Sequence, residues 1–172
     1  MMFTAIVSHT PVWVWVVFAA LIVVGVRQSF ARRLRLGRVT ALPIVFVTLS
    51  LAGVVSAFGP DGSALLAWAV GVPAAAGLAL QRGAPAAARW LAAERVFEVP
   101  GSWVPLALML GIFGLRFAVA VLLVLQPGLR GDAGFAALAG LGYGGFSGLF
   151  LGRAMALWQL ARAPHAGALR DA

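Results

Sequence analysis

One charged side chain stands alone in an otherwise apolar run: Arg116, thirteen residues after Trp103 and ten before Gln126. At that depth in hydrocarbon a guanidinium costs about 2.5 to 3.5 kcal/mol even on the lenient insertion scale, so it needs acceptors or an anion. The chain offers no acid at matching depth, because Asp61, Glu94, Glu98, Asp132 and Asp171 all fall in polar links or the tail. The acceptors open to Arg116 are backbone carbonyls, the hydroxyls of Thr48, Ser50, Ser56, Tyr143 and Ser147, water, or an anion from outside the chain. An outside anion would be a lipid or substrate group, or a partner protein's carboxylate. Arg116, Tyr143, Ser147 and Arg153 are the candidate residues for a ligand or partner.

Other residue types capable of chemistry point elsewhere. Glu94 and Glu98 have the spacing of an acid–base pair, but their neighbours Arg89 and Arg95 make solvated or ion-paired carboxylates the expectation. His9 is a lone surface histidine with no second histidine in any apolar run to share a haem or metal. The chain has no cysteine, which excludes thiolate ligation and disulfide exchange. No G-x-S-x-G, H-E-x-x-H, Walker or dinucleotide fingerprint occurs. Gly142 to Gly145 has the glycine content of a phosphate loop but lies inside an apolar run. No catalytic residue, metal site or cofactor is expected.

The elements that position Arg116 are organised around the last apolar run, Gly134 to Leu160. Gly140, Gly144, Gly148 and Gly152 recur every fourth residue, bracketed in phase by Ala136 and Ala156. On a helix this is one stripe with no side chain beyond a methyl, a loss of about 1 kcal/mol per glycine in a soluble helix. In lipid the loss is recovered when a neighbouring backbone comes close. The expected neighbour is the fourth apolar run, whose Ala107, Gly111, Gly114 and Ala118 share a face nearly opposite Arg116. A homodimer seam is the other use of such a stripe.

Composition fixes the class. The chain is 62% hydrophobic and 10% charged, with a mean hydropathy of +0.99, against about a quarter charged in soluble domains. Long apolar runs without period-two alternation make it an all-α integral membrane bundle and not a barrel. The net charge of +8 comes from thirteen arginines and no lysine. They cluster between apolar runs, as in membrane anchoring, so nucleic acid is not an expected partner.

Five transmembrane helices are expected, at about 11–29, 41–58, 64–80, 103–126 and 134–159, in a single domain over 1–172. Thr10 and Pro11 suit the start of the first, and Trp13 and Trp15 an interfacial belt. Lacking a positive n-region, this run reads as an uncleaved span and not a signal peptide. Gly37 is a plausible helix stop, Pro43 falls in the first turn of the second span, and Pro73 should kink the third. Residues 81–102 allow either a short surface helix after Pro85 or a strand at Arg95–Val99. The tail around Pro164 and His165 reads as disordered. Eleven arginines fall on one side, with Arg130 alone on the other and Arg116 between. The positive-inside rule then sets the amino terminus outside and the carboxyl terminus in the cytoplasm. Spans two–three and four–five resemble duplicated hairpins, with similar Leu-Pro or Val-Pro starts and Gly-Leu ends.

Three phrases carry a family resemblance: His9-Thr10-Pro11-Val12-Trp13-Val14-Trp15, Val99-Pro100-Gly101-Ser102-Trp103-Val104-Pro105-Leu106 and Ser147-Gly148-Leu149-Phe150-Leu151-Gly152-Arg153. Together the chain resembles a family of small bacterial inner-membrane proteins known only as a domain of unknown function. The resemblance implies a multi-span helical fold over nearly the whole chain and brings no activity, substrate or site residue. More distantly, the last phrase is similar to a small membrane protein associated with cytochrome c maturation, but without cysteine no thiol relay carries over. The expectation is a bacterial inner-membrane protein that contacts membrane lipid and serves as a non-catalytic accessory to a membrane protein partner or as a homodimer. The competing expectation is an anionic lipid or amphiphile bound at Arg116.

Overall fold

A computed structural model describes residues 12–60 and 62–162. The expectations for His9, the Thr10–Pro11 cap, Asp61 and the tail lie outside the described residues. Five helices form: α1 (Val12–Gln28), α2 (Leu36–Phe58), α3 (Gly62–Arg82), α4 (Val104–Leu125) and α5 (Ala133–Arg162). The last four are long and apolar enough to cross a membrane. At 1.5 Å per residue, the 17 described residues of α1 cover about 25 Å. The 30-residue α5 spans about 45 Å and extends past the ~30 Å hydrocarbon core.

α5 is the central element, buried through Ala136, Gly140, Tyr143, Gly144, Ser147, Gly148, Phe150 and Gly152. Asp132 starts it, its carboxylate accepting from the Phe135 N–H at 2.6 Å, an N-cap at the positive end of the helix dipole. The glycine stripe does not pack on α4, as its spacing suggested, but on α3. Gly140 meets the backbone of Ala64, Gly144 that of Trp68 and Val72, Gly148 that of Val72, and Gly152 that of Ala76. Numbers rise together along the pair, so the two helices run parallel. At all four glycines the space a side chain would take is filled by an α3 carbonyl oxygen. That is the geometry of Cα–H···O contacts between close helices. Gly71 returns the approach, facing the Leu141 carbonyl. Within one chain, α3 thus occupies the stripe.

α4 meets α5 differently. Phe146 of α5 fills the notch at Gly111, and Leu115 of α4 fills the notch at Gly142. Gly114, expected at a packed face, looks into open space. α1 lies along the far side of α4, antiparallel, with Leu106 over Gly25 and Phe18 at 5.4 Å from Phe113. α2 joins α5 through a Phe46–Phe150 stack at 4.4 Å and 3°.

The helical class holds, with one addition. A three-stranded antiparallel sheet caps one end, order β1-β3-β2, from β1 (Arg32–Arg35), β2 (Arg89–Leu91) and β3 (Val96–Val99). The strand alternative for Arg95–Val99 therefore holds over the surface helix, and Arg32–Arg35 is its unforeseen partner. Leu34 and Trp90 flank Phe97 across the strands, and Phe97 is fully buried with Val39, Ala154 and Leu157. This cluster explains two corrections. Burial of Val39 draws Leu36–Thr40 into α2, so Gly37 stops no helix and Pro43 sits in the helix interior.

Arg95 closes the β2–β3 hairpin with φ 52°, in the left-handed region. Such a conformation costs an L-residue about 1 to 2 kcal/mol. Arg95→Gly is expected to stabilise the sheet by about 1 kcal/mol, seen as slower hydrogen exchange of the β3 amides.

Candidate functional site

Arg116 sits midway along α4, where α2, α4 and α5 converge. Its Nη1 donates to the carbonyl of Leu49 on α2 at 3.3 Å. Gly53, one turn on, makes room for it: an added Cβ there would stand 3.4 Å from Nη1 and 3.6 Å from the Tyr143 ring. Gly53 thus forms a floor between guanidinium and phenol ring. The Arg116 side chain is otherwise exposed, on the outside of the bundle. Among the described residues Leu49 is its only hydrogen-bond acceptor, so four of the five guanidinium N–H groups are uncommitted to protein.

The other candidates divide. Tyr143, 2% exposed, joins Arg116 at Gly53. Ser147 does not: its hydroxyl donates at 2.8 Å to the Tyr143 carbonyl of its own helix. Arg153 lies farther along α5, beside Ala154 and Leu157 in the cluster under the sheet. The structure brings Arg116 and Tyr143 together and leaves Arg153 apart.

Behind this site lies a polar core. The Trp68 indole N–H donates to Ser50 Oγ at 2.7 Å, and Ser50 donates to the Tyr143 carbonyl at 3.1 Å. α3, α2 and α5 are pinned in one chain of bonds, with Ser50 1% exposed. Ser50→Ala would strand the indole donor, and a buried donor left without an acceptor costs about 1 to 3 kcal/mol. Detergent melting of Ser50→Ala should show that loss, whereas Ser56→Ala, whose hydroxyl serves only its own helix, should melt as the parent does.

The sheet end is the second candidate surface. Arg27 to Arg38, Arg82 to Arg95, Arg153 and Arg162 place ten arginines there against Glu94 and Glu98. Both glutamates were expected to be solvated or paired with Arg89 and Arg95; both are exposed, and the arginine they pair with is Arg33. Arg33 Nη1 reaches Glu94 at 3.0 Å and Nη2 reaches Glu98 at 2.9 Å. The reason is register: Arg33 is directly cross-strand from Glu98, and the hairpin turn brings Glu94 to the same side. Arg35 and Arg89 project from the same outer face and make no ion pair among the described residues. Arg32 turns inward and donates to Gln28 at 2.9 Å; burial, then the charge of Arg38, lower its pKa from the ordinary guanidinium value. An open cleft of about 470 Å³ runs beside Arg32, Arg33, Glu98 and Pro100.

Sequence reasoning missed Leu49, Gly53, the Trp68–Ser50 bond and β1. Gly53 was the one readable signal, a glycine inside an apolar run with a reason to be there. Among the described residues no three His, Asp or Glu side chains gather as a metal site.

The profile of a family of unknown function (DUF6622) matches residues 1–168. An uncharacterized protein of Pasteurella multocida (strain Pm70), PM0739, is 36% identical over 56 residues, 33% of this chain and 44% of that protein. The chain thus spans less than half the length of that relative. No solved structure matches the chain.

Proposed function

The chain belongs to the family of unknown function DUF6622, and from that premise we propose that it is a non-catalytic accessory protein of the bacterial inner membrane. It crosses five times, with its sheet end in the cytoplasm, and binds another membrane protein there. The observation that carries this reading is the sheet. Three short strands are anchored to the bundle through Phe97, and their outer face offers Arg35 and Arg89 without carboxylate partners among the described residues. An anchored, charge-bearing face of this kind suits recognition of an acidic surface more than support of the bundle. The excess of arginine at that end also supports the cytoplasmic orientation.

The experiment has two parts. A cytoplasm-only reporter fused after Arg38 or Arg162 should be active, and one fused after Asp132 inactive; reversal removes the orientation. The Arg35→Glu, Arg89→Glu double variant should insert and melt like the parent, yet lose a membrane protein that copurifies near-stoichiometrically with the parent. If the parent retains only lipid, the accessory reading falls.

The second reading, an anionic lipid or small amphiphile held by Arg116, is favoured by the uncommitted N–H groups of that side chain.

A further inference from the structure

We propose that Arg116 is the docking point for a transmembrane helix of a different protein, one carrying an aspartate or glutamate near its midpoint. The inference rests on the accessory reading above and names what the partner brings into the membrane.

Depth carries the argument. Arg116 is about 18 Å along α4 from Val104 and about 14 Å from Leu125. A long arginine at such a position normally snorkels toward the interface. Here it does not, because the guanidinium is tied to the Leu49 carbonyl, itself about 20 Å from the start of α2 and about 14 Å from its end. The positive charge is therefore held near the middle of a ~30 Å hydrocarbon core. Headgroup phosphates lie beyond its edge, roughly 15 Å away, and a hydrogen bond reaches about 3 Å. A phospholipid in normal orientation keeps its phosphate out of reach, which leaves of the second reading only an amphiphile that enters the core.

The chain cannot supply it either. Its five acids are Asp61, Glu94, Glu98, Asp132 and Asp171, and none falls within an apolar run of the sequence. A second copy brings the same five, so self-association leaves two unpaired guanidiniums instead of one. What fits is an acid that another chain holds at the same depth. The remaining N–H groups suit it, since a guanidinium can grip a carboxylate through two parallel bonds. Arg116 also stands on the outer, exposed side of the bundle, where such a helix can lie against α2 and α4.

The test uses the whole protein in phosphatidylcholine vesicles with synthetic leucine-rich transmembrane peptides. One peptide carries glutamate at its midpoint, a second glutamine there, and a third glutamate in its last turn. By energy transfer, the mid-glutamate peptide should bind about tenfold more tightly than the other two. Arg116→Leu should abolish the difference, and Arg116→Lys should keep part of it, because charge remains without the fork. Equal binding of mid-glutamate and mid-glutamine peptides by the parent overturns the proposal. That comparison alters only the peptide, so it decides even if Arg116→Leu fails to fold. If oleate displaces the mid-glutamate peptide and is retained by the parent but not by Arg116→Leu, the occupant is a free amphiphile and the proposal also falls. In either case the accessory reading stands or falls separately, on the sheet variants.

Discussion

Gly148→Ala is expected to destabilise the solubilised bundle by about 1 to 3 kcal/mol, the usual range for overpacking, and Gly148→Leu by more. The added Cβ would fall on the Val72 carbonyl and at 2.9 Å from the Ala75 methyl. Backbone cannot step aside as a flexible side chain can, so α3 must move away from α5 as a unit. Gly144→Ala should behave alike, its Cβ standing 3.1 Å from the Val72 nitrogen. Gly145 supplies the control. It adjoins Gly144 on the same helix, yet a Cβ there meets nothing within 4 Å. Gly145→Ala should therefore be neutral or slightly stabilising through helix propensity. For a chain of this size each kcal/mol moves the melting midpoint by about 2 to 4 °C. Equal melting of Gly148→Ala and Gly145→Ala would remove the backbone-contact account of the stripe.

Phe97→Ala carries the other large effect. Phe97 is fully buried, 4.5 Å from Trp90 and flanked by Leu34. Truncating such a phenylalanine costs about 3 to 5 kcal/mol. Phe97 is the fully buried member of the cluster that joins sheet and helices, so the loss should appear there first. Amides of β2 and β3 should exchange much faster, while those of α3 and α5, held by glycine contacts elsewhere, keep their protection. The first turns of α2 should loosen too, because Val39 shares the Phe97 cluster. Uniform loss of protection through all helices would mean that the sheet and bundle fold as one unit.

The elements differ in how far their residues announced them. The glycine stripe was readable because a four-residue period has one meaning on a helix. Its partner was not, because what the glycines meet is mainly α3 backbone, and a carbonyl leaves no mark in the sequence. The lure of Gly111 and Gly114 was that small residues suggest small residues opposite, whereas Gly111 receives the Phe146 ring and Gly114 receives nothing. β1 was hidden more deeply. Arg32-Arg33-Leu34-Arg35 has too little apolar alternation to signal a strand, and becomes one only beside Val96–Val99, some sixty residues later. The same separation concealed the Arg33 ion pairs. Helix starts were misplaced where no cap marks them: α2 follows β1 directly, with Arg35 making no side-chain cap bond. Arg116 was legible as an anomaly from its composition alone. Leu49, which receives it, could be named only once α2 and α4 were in place.

The spacing of the stripe has a consequence for alignment. Gly140, Gly144, Gly148 and Gly152 face Ala64, Trp68, Val72 and Ala76, so both helices advance four residues per contact. Two combs with equal teeth fit equally well after sliding by one tooth. A shift of α3 along α5 by four residues, about 6 Å, would return most glycines to a carbonyl, with Ala136 or Ala156 entering at the end. The stripe therefore supplies adhesion but no address. The address is written in what does not repeat: Gly71 facing the Leu141 carbonyl, and the bond chain from the Trp68 indole through Ser50 to the Tyr143 carbonyl. Slippage in either direction parts Trp68 from Ser50. Grip and position are thus assigned to different residues, and a change in one leaves the other legible.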